Sequence, residues 1–179
     1  MTRDEHPQPD TTLENLSRLP PVFHGGINTA GNASGINDGA AAMILANDQA
    51  LKDHNLKPLA RLVGWSCVAV DPMMMGTAAI PAMETLLKTT GLTIDDMDLV
   101  EIHETYAATT LVSARELDVD ENKLNVNGGA IAVGHPAGAS GTRIMSHLTY
   151  ELRRRGLKKG IASAIIAGGQ GVAMMIETV

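Results

Sequence analysis

The chain has 179 residues, of which 44% are hydrophobic and only 2% aromatic, so a buried core must be built from aliphatic side chains. Its formal net charge of −6 argues against nucleic acid or an anionic membrane surface as a partner, because both select clustered Lys and Arg. The single cysteine, Cys67, excludes an internal disulfide and a cysteine-rich metal cluster, and no apolar run approaches the roughly 18 residues that cross a bilayer.

The first part of the chain contains a long irregular segment. Residues 1–26 are interrupted by prolines and leave room only for a short helix at 11–19. Residues 27–39 are rich in Gly, Asn, Ser and Thr, which predicts an ordered loop or a close approach of the backbone. The apolar run at 40–46 is short enough for a buried strand, and Asn47 can cap a short helix after it.

The rest of the chain alternates between strand and helix patterns. In chain order these patterns predict a strand at 60–70, a helix at 79–90, a strand at 98–102, a helix reaching 117, a Gly-rich loop at 125–140, a helix ending at Gly156, and strands at 161–166 and 172–176. The short link between the last two strands predicts an antiparallel hairpin. Several strands are apolar on both faces, so we expect a mixed α/β sheet that needs a second body to cover one side.

A histidine in the second Gly-rich loop is the strongest candidate for chemistry. His135 lies between Gly134 and Pro136, on a constrained backbone just before a helix. Because the pKa of a histidine lies near neutrality, His135 can act as a general base or donate to an oxyanion. The alternative, a capping or core histidine, stays open at this point.

Two further segments are candidates for a site. His103 directly follows a strand, where α/β sheets place functional side chains, but Ala107 stands where a zinc-type His-Glu-x-x-His motif needs its second histidine. The turn at 167–171 is Gly-rich and would expose backbone N–H groups, as an oxyanion hole requires. Glycines in a hairpin can equally serve the turn alone. No nucleotide or metal motif is present, so neither a nucleotide cofactor nor a metal is predicted.

Four segments, in this order and spacing, resemble the C-terminal domain of the thiolases, acyltransferases that make or cleave 3-ketoacyl-CoA; they lie at 29–39, 101–107, 125–136 and 167–171. The resemblance runs from residue 4 to the last strand. It implies an α/β, thiolase-like C-terminal domain: a mixed sheet with helices in a βαβαβαββ order, which is normally one half of an αβαβα layered sandwich. It also divides the chain into a lead-in at 1–26, the end of the family's loop domain, and a C-terminal-type domain at 27–179.

The resemblance implies roles for four side chains. Ser34 matches the serine beside the pantetheine arm of coenzyme A. His135 matches the Gly-His-Pro histidine, which activates the nucleophilic cysteine and helps to bind the thioester oxygen. His103 stands where many thiolases have an Asn that positions a catalytic water, although some branches have a histidine there. Tyr106 replaces the usual Phe beside the acyl pocket.

The last motif departs from the family pattern. Thiolases have a Cys-x-Gly-Gly-Gly-Gln-Gly segment whose cysteine is the acid/base, and Ile165 occupies that cysteine's place here. One branch carries this cysteine in the second segment, where Thr105 stands in this chain. Cys67 lies outside every motif and is predicted to be a small buried hydrophobe. The oxyanion donors can survive, because the backbone N–H groups of Ala167 and Gly168 do not depend on side chains.

The resemblance leaves three roles open. Thiolase chemistry needs a cysteine from the N-terminal half of the family fold, which these residues do not include, so the chain alone is predicted to be inactive. It can pair with a separate N-terminal half, it can be a non-catalytic acyl-CoA-binding or scaffold protein, or it can be a truncated fragment of a full-length thiolase.

The expected partners follow from the same reasoning. Coenzyme A or acyl-CoA, in fatty acid metabolism, is expected as a substrate rather than a cofactor, and no nucleic acid or membrane partner is expected. The uncovered sheet face predicts a homo- or hetero-oligomer, because large apolar patches seldom stay bare. With no signal or transit peptide recognised in the polar first ten residues, we expect a soluble protein of the cytoplasm or an organelle matrix.

Overall fold

The computed structural model describes Thr2 and residues 4–179. Its helices and strands, in chain order, are α1 (Leu13–Ser17), α2 (Asp48–Asp53), β1 (Ala60–Ala69), α3 (Ala79–Thr90), β2 (Leu99–Ile102), α4 (Ala107–Glu116), α5 (Ala130–Val133), α6 (Ser140–Arg155), β3 (Lys159–Ile166) and β4 (Gln170–Thr178). Two short 3-10 helices, Pro72–Thr77 and Ile94–Asp96, precede α3 and β2. None of the helices described is both long and apolar enough to span a bilayer.

The four strands form one mixed sheet in the order β1-β4-β3-β2. Strands β3 and β4 are an antiparallel hairpin in which Ile165 pairs with Gly171, and β4 pairs antiparallel with β1. Strand β2 joins β3 in parallel, and the link between them runs through α4 and α6. The predicted mixed α/β sheet and its closing hairpin are confirmed.

Each face of the sheet carries its own apolar cluster. Helix α3 covers one face, where Met83 and Leu86 pack with Ile161 of β3 and Met175 of β4. Helix α6 covers part of the other face through Leu148 and Leu152, with their partners on β2, β3 and β4. The predicted helix ends also hold: α3 stops at Gly91 and α6 at Gly156, both in the left-handed conformation that glycine adopts without strain.

The edge strand β1 is covered on one face only. Ser66 points toward α3 and donates a hydrogen bond of 2.6 Å to the carbonyl of Ala82. Trp65 and Cys67 point the other way, and Trp65 is 68% exposed. The prediction that Cys67 is buried is therefore wrong, because α6 packs on β2, β3 and β4 and leaves the edge strand bare. The bare face agrees with the predicted need for a second body.

The apolar run at 40–46 is not a strand, contrary to the prediction. It has no regular secondary structure, and Ile44 and Leu45 are 84% and 76% exposed. An apolar run becomes a strand only when a neighbouring strand satisfies its N–H and C=O groups, and the described sheet of four strands does not include it. The apolar composition of this run predicts burial, but the residues that the structure describes do not bury it.

Candidate active site

His135 is fixed by a contact with the N-terminal loop. Helix α5 ends at Gly134, whose φ is 88°, and His135 follows before α6 begins. The side-chain Oδ1 of Asn37 accepts a hydrogen bond of 3.1 Å from the backbone N–H of His135. A Cβ at position 134 would lie 2.5 Å from that same Oδ1, so glycine is required there. Asn37 thus holds the His135 backbone across 98 residues of sequence.

His103 lies directly against His135. It follows β2, and its backbone N–H donates to the carbonyl of Ser163 on β3 at 2.9 Å. The Nε2 of His103 lies 3.0 Å from the Nδ1 of His135, and the ring centroids are 4.3 Å apart. The same Nδ1 lies 2.7 Å from the Oγ of Ser140. The two histidines that the sequence singled out are therefore one hydrogen-bonded pair.

The surroundings favour the neutral form of both imidazoles of the pair. Burial lowers the pKa of His103 to about 4, and positive charge on His135 and Arg143 acts in the same direction. Burial and the nearby Arg143 guanidinium also lower the pKa of His135. Each ring can therefore accept a proton and still donate one, as a general base requires.

Glu104 anchors the Gly-rich loop to the end of β2. Its Oε2 accepts from the backbone N–H of Ile131 at 3.0 Å, and its Oε1 accepts from Nδ2 of Asn125 at 3.2 Å. Gly129 lets the carboxylate approach, since a Cβ there would lie 2.2 Å from the Glu104 Cδ. Glu104 lies in the segment at 101–107 and Asn37 in the segment at 29–39, but the sequence predicts a role for neither. The Asn and Gly residues around them were the only local signal.

Ser34 and Tyr106 lie together at the start of α4. The hydroxyl of Ser34 donates to the carbonyl of Thr105 at 3.3 Å, and its backbone N–H donates to the same carbonyl at 3.1 Å. Ala33 and Tyr106 form an isolated antiparallel bridge. Since Thr105 also contacts the Nδ1 of His103 at 3.1 Å, this loop adjoins the histidine pair.

The β3–β4 turn contains Ala167 and Gly168, whose backbone N–H groups the sequence predicts as oxyanion donors. Ala167 and Gly168 are exposed, and Gly168 and Gly169 have φ of 92° and 93°. The Gly169 carbonyl accepts from the N–H of Val70 at 2.7 Å, which ties the turn to the end of β1. No hydrogen bond joins Ala167 or Gly168 to either histidine in the part of the chain that the structure describes. Ile165, two residues before Ala167, is half-buried against the α3 cluster.

A cavity of about 140 Å³ lies beside His103. Its polar lining includes Glu101, Arg143 and His147, and the Nδ1 of His147 lies 3.0 Å from the carboxylate of the buried Glu101. The hydrogen bond to Glu101 raises the pKa of His147. Among the described residues, no group of three or more His, Cys, Asp or Glu side chains could hold a metal ion.

The Glu101–His147 pair predicts a pH-dependent contribution to stability. The folded-state pKa of His147 is raised above the ordinary value of 6.5, so the contribution is complete below pH 6.5 and declines as the pH rises through the folded-state pKa. We expect H147Q to cost about 1 kcal/mol at about pH 6, after solvent screening, and less at about pH 9. Urea unfolding across this range checks it, with the exposed-site variant H54Q as control. An equal cost at both pH values would contradict the charged pair.

Comparison with known proteins gives one consistent family. The model described as "Thiolase, C-terminal domain" matches residues 56–178, and "Thiolase, N-terminal domain" matches residues 1–49, which include the exposed run at 40–46. The mitochondrial 3-ketoacyl-CoA thiolase of Bos taurus is 54% identical over 178 residues, which are 99% of this chain and 45% of the relative.

Solved structures give the same result. Human mitochondrial 3-ketoacyl-CoA thiolase in complex with CoA superposes with a TM-score of 0.91 at 49% identity, over 100% of this chain and 46% of the other. The Bacillus anthracis acetyl-CoA acetyltransferase superposes with a TM-score of 0.94 at 48% identity, over 99% and 45%. The chain therefore spans less than half the length of the relatives that it matches.

Proposed function

The chain belongs to the thiolase family, and from this premise we propose that it supplies the histidine half of an acyl-CoA acyltransferase site whose nucleophilic cysteine comes from a separate thiolase N-terminal half. The observation that carries the proposal is the histidine pair: His135 is fixed by Asn37, neutral, and hydrogen-bonded to His103. Building this pair takes contacts between segments far apart in the sequence.

The single cysteine explains why a partner is required. Cys67 lies on the bare face of β1, outside the segments that form the histidine pair. In the proposed complex, His135 takes the proton of a partner thiol, the thiolate attacks the thioester carbonyl, and His135 returns the proton to the CoA sulfur as CoA departs. Water then hydrolyses the acyl-enzyme, with His135 as base. Ile165 cannot move a proton, so carbon–carbon bond chemistry is slow and acyl-CoA hydrolysis is the reaction that remains.

The remaining candidate residues are assigned to the substrate and the oxyanion. We assign Ser34 and Tyr106 to the substrate side, with acyl-CoA or CoA as ligand, and the backbone of Ala167 and Gly168 to the oxyanion. CoA is bound in the human relative's structure.

The bare face of β1, with Trp65 exposed, is the surface through which the chain associates with its partner or with itself. Mitochondrial relatives favour an organelle matrix over the cytoplasm.

A second candidate is a non-catalytic acyl-CoA-binding protein. It is favoured by Ile165, which replaces the acid/base cysteine that the family motif carries at this position. The same residues, Ser34 and Tyr106, would contact the ligand. In this case acyl-CoA binds to the chain without any cysteine-bearing partner and is not consumed.

Reconstitution separates the two candidates. The chain is mixed with a thiolase N-terminal half that contains the cysteine, and complex formation is followed by light scattering and intact mass spectrometry. We expect a hetero-complex that hydrolyses acetyl-CoA, and a loss of about 10²–10⁴-fold in rate for H135N. The chain alone and the N-terminal half alone serve as blanks.

Three other results would count against one or both candidate functions. If no complex forms and calorimetric titration shows that the chain alone binds acetyl-CoA, the binding protein is the better account. If a complex forms but hydrolysis is unaffected by H135N, the histidine does not act as proposed. Absence of both a complex and CoA binding rejects both candidates.

A further inference from the structure

We propose that His103 is a proton-relay partner of His135, which lets the Nε2 of His135 change between proton acceptor and proton donor while both rings stay neutral. The use of this relay in catalysis rests on the proposed function of His135. The relay itself is a property of the isolated chain and can be tested without any turnover.

Three side chains form a continuous hydrogen-bonded path. The Nδ1 of His135 contacts the Nε2 of His103 at 3.0 Å, and the Nδ1 of His103 contacts the hydroxyl of Thr105 at 3.1 Å. The Nε2 of His135 makes no hydrogen bond to any part of the chain that the structure describes. Both nitrogens of His103 are therefore used within the path, and the free end of the path is the Nε2 of His135.

The path has two arrangements with the same number of ring protons. In the first, His135 carries its proton on Nδ1 and donates it to Nε2 of His103, which in turn donates its own Nδ1 proton to the Thr105 oxygen. The Nε2 of His135 then has a free lone pair. In the second, the Thr105 hydroxyl donates to Nδ1 of His103, His103 carries its proton on Nε2 and donates it to His135, and the Nε2 of His135 carries a proton.

Conversion from the first arrangement to the second is balanced in protons. One proton enters at Nε2 of His135, the Nδ1 proton of His135 passes to Nε2 of His103, and the Nδ1 proton of His103 passes to the Thr105 hydroxyl, which releases its own proton to solvent. Thr105 is partly exposed, so this exit is open. No bond between heavy atoms changes and neither ring keeps a charge.

The surroundings favour this neutral route over a charged one. His103 is buried, and the Arg143 guanidinium adds a positive charge near both rings. A proton held on His103 as imidazolium would therefore be costly. The carboxylate of Glu104, which could offset such a charge, is engaged by Ile131 and Asn125 instead. In the proposed reaction, His135 must first accept a proton and then present one, and the relay provides both states.

Ser140 is the competing partner for the same nitrogen. Its hydroxyl lies 2.7 Å from the Nδ1 of His135, but it also lies 3.1 Å from the Pro136 carbonyl, to which it donates. A hydroxyl that donates to Pro136 can only accept from His135, so it supports the first arrangement and not the second. S140A is therefore the matched control for H103N.

Histidine tautomers of the chain provide the test. The ¹⁵N-histidine-labelled chain is studied by long-range ¹H–¹⁵N NMR as wild type, H103N, T105V and S140A, with resonances assigned from the histidine variants. We expect the two ring nitrogens of His135 to have averaged, intermediate shifts in the wild type. S140A should keep averaged shifts but move them toward a proton on Nε2, because it loses an acceptor for the Nδ1 proton. In T105V, which removes the acceptor at Nδ1 of His103, we expect a single tautomer of His135 with its proton on Nε2. H103N should likewise fix one tautomer.

The outcomes distinguish the relay from the proposed function. A single, fixed tautomer of His135 in the wild type would overturn the relay, as would fixation by S140A but not by H103N or T105V. If H103N fails to fold, T105V alone decides, because it leaves both rings in place. Averaged tautomers together with an inactive reconstituted complex would reject the proposed function and leave the relay standing.

Discussion

Replacing Ile165 with cysteine is expected to raise the rate of 3-ketoacyl-CoA thiolysis by about 10²–10⁴-fold in a complex of this chain with a cysteine-bearing N-terminal half. Thiolysis breaks a carbon–carbon bond, and the departing carbon must receive a proton. In the family motif a cysteine at this place provides it, whereas the side chain of Ile165 has no exchangeable proton. The gain is the ordinary contribution of one positioned acid/base group.

Ile165 lies near the end of β3, the strand that contacts the backbone of His103. It pairs with Gly171 within the β3–β4 hairpin, and it lies two residues beyond Ser163, whose carbonyl accepts from the backbone N–H of His103. The end of β3 and the histidine pair therefore adjoin. Ile165 is half-buried, so a smaller cysteine leaves the core with a loss of about 1 to 2 kcal/mol, which does not unfold a stable domain.

Ile166 provides the matched control. It is the next residue on β3, so it points to the opposite face of the sheet, and it is 40% exposed. The variant I166C introduces the same thiol on the opposite face of the sheet, and we expect it to leave the rate unchanged. Loss of the 3-ketoacyl-CoA absorbance on addition of CoA is the measurement. An intact I165C complex that is no faster than wild type, or an equal gain from I166C, would contradict the assignment.

The sequence predicted the elements whose signals are local. Gly91 and Gly156 end their helices as expected, because a glycine after a periodic apolar pattern is sufficient to place a C-terminal cap. The closing hairpin follows from two apolar runs and a short Gly-rich link. These features depend on neighbouring residues only, and they need no knowledge of the rest of the fold.

The predictions that were wrong concern burial and strand pairing, which depend on the residues that lie next to a segment in the folded chain. The run at 40–46 has the composition of a buried strand, but it lacks a strand beside it among the described residues. Cys67 has the composition of a core residue, but it lies on the bare face of an edge strand. The hydrophobicity of a segment indicates how much free energy its burial would contribute. It does not show whether other residues pack over that segment.

The sequence singles out candidate residues for the site but says nothing of how they are arranged. Motifs singled out His103 and His135 separately, while their contact spans 32 positions and depends on the ring orientations of both. Asn37, which holds His135 across 98 positions, lies in the segment at 29–39, and nothing in the sequence predicts that contact. Side-chain contacts between distant loops are set by packing, which no local pattern records.

The second large effect concerns stability in acid. Between pH 6.5 and about 4, His103 is protonated in the unfolded chain and neutral in the folded one, since burial lowers its folded-state pKa to about 4. The unfolded state therefore binds more protons in this range, and the free energy of unfolding falls as the pH falls. The expected loss is roughly 2 to 3 kcal/mol, a large share of the stability of a domain of this size.

The variant H103N should remove most of this loss. An asparagine has no titrating group, and its amide can still hydrogen-bond to Nδ1 of His135. Its stability should therefore change less than that of the wild type between about pH 7 and pH 4, although His135 keeps a smaller dependence of the same sign because its pKa is also lowered. Urea unfolding at a series of pH values gives both curves.

The variant H54N is the control for a loss of stability in acid that does not come from the buried histidine pair. His54 is exposed, directly after α2, so H54N should reproduce the wild-type pH dependence. If H103N and the wild type lose the same free energy in acid, His103 does not stay neutral in the folded chain. Its second nitrogen would then carry a proton at rest, and the pair could not exchange protons without a charge. The acid-stability curves therefore test the neutrality of His103 on which the proton relay to His135 depends.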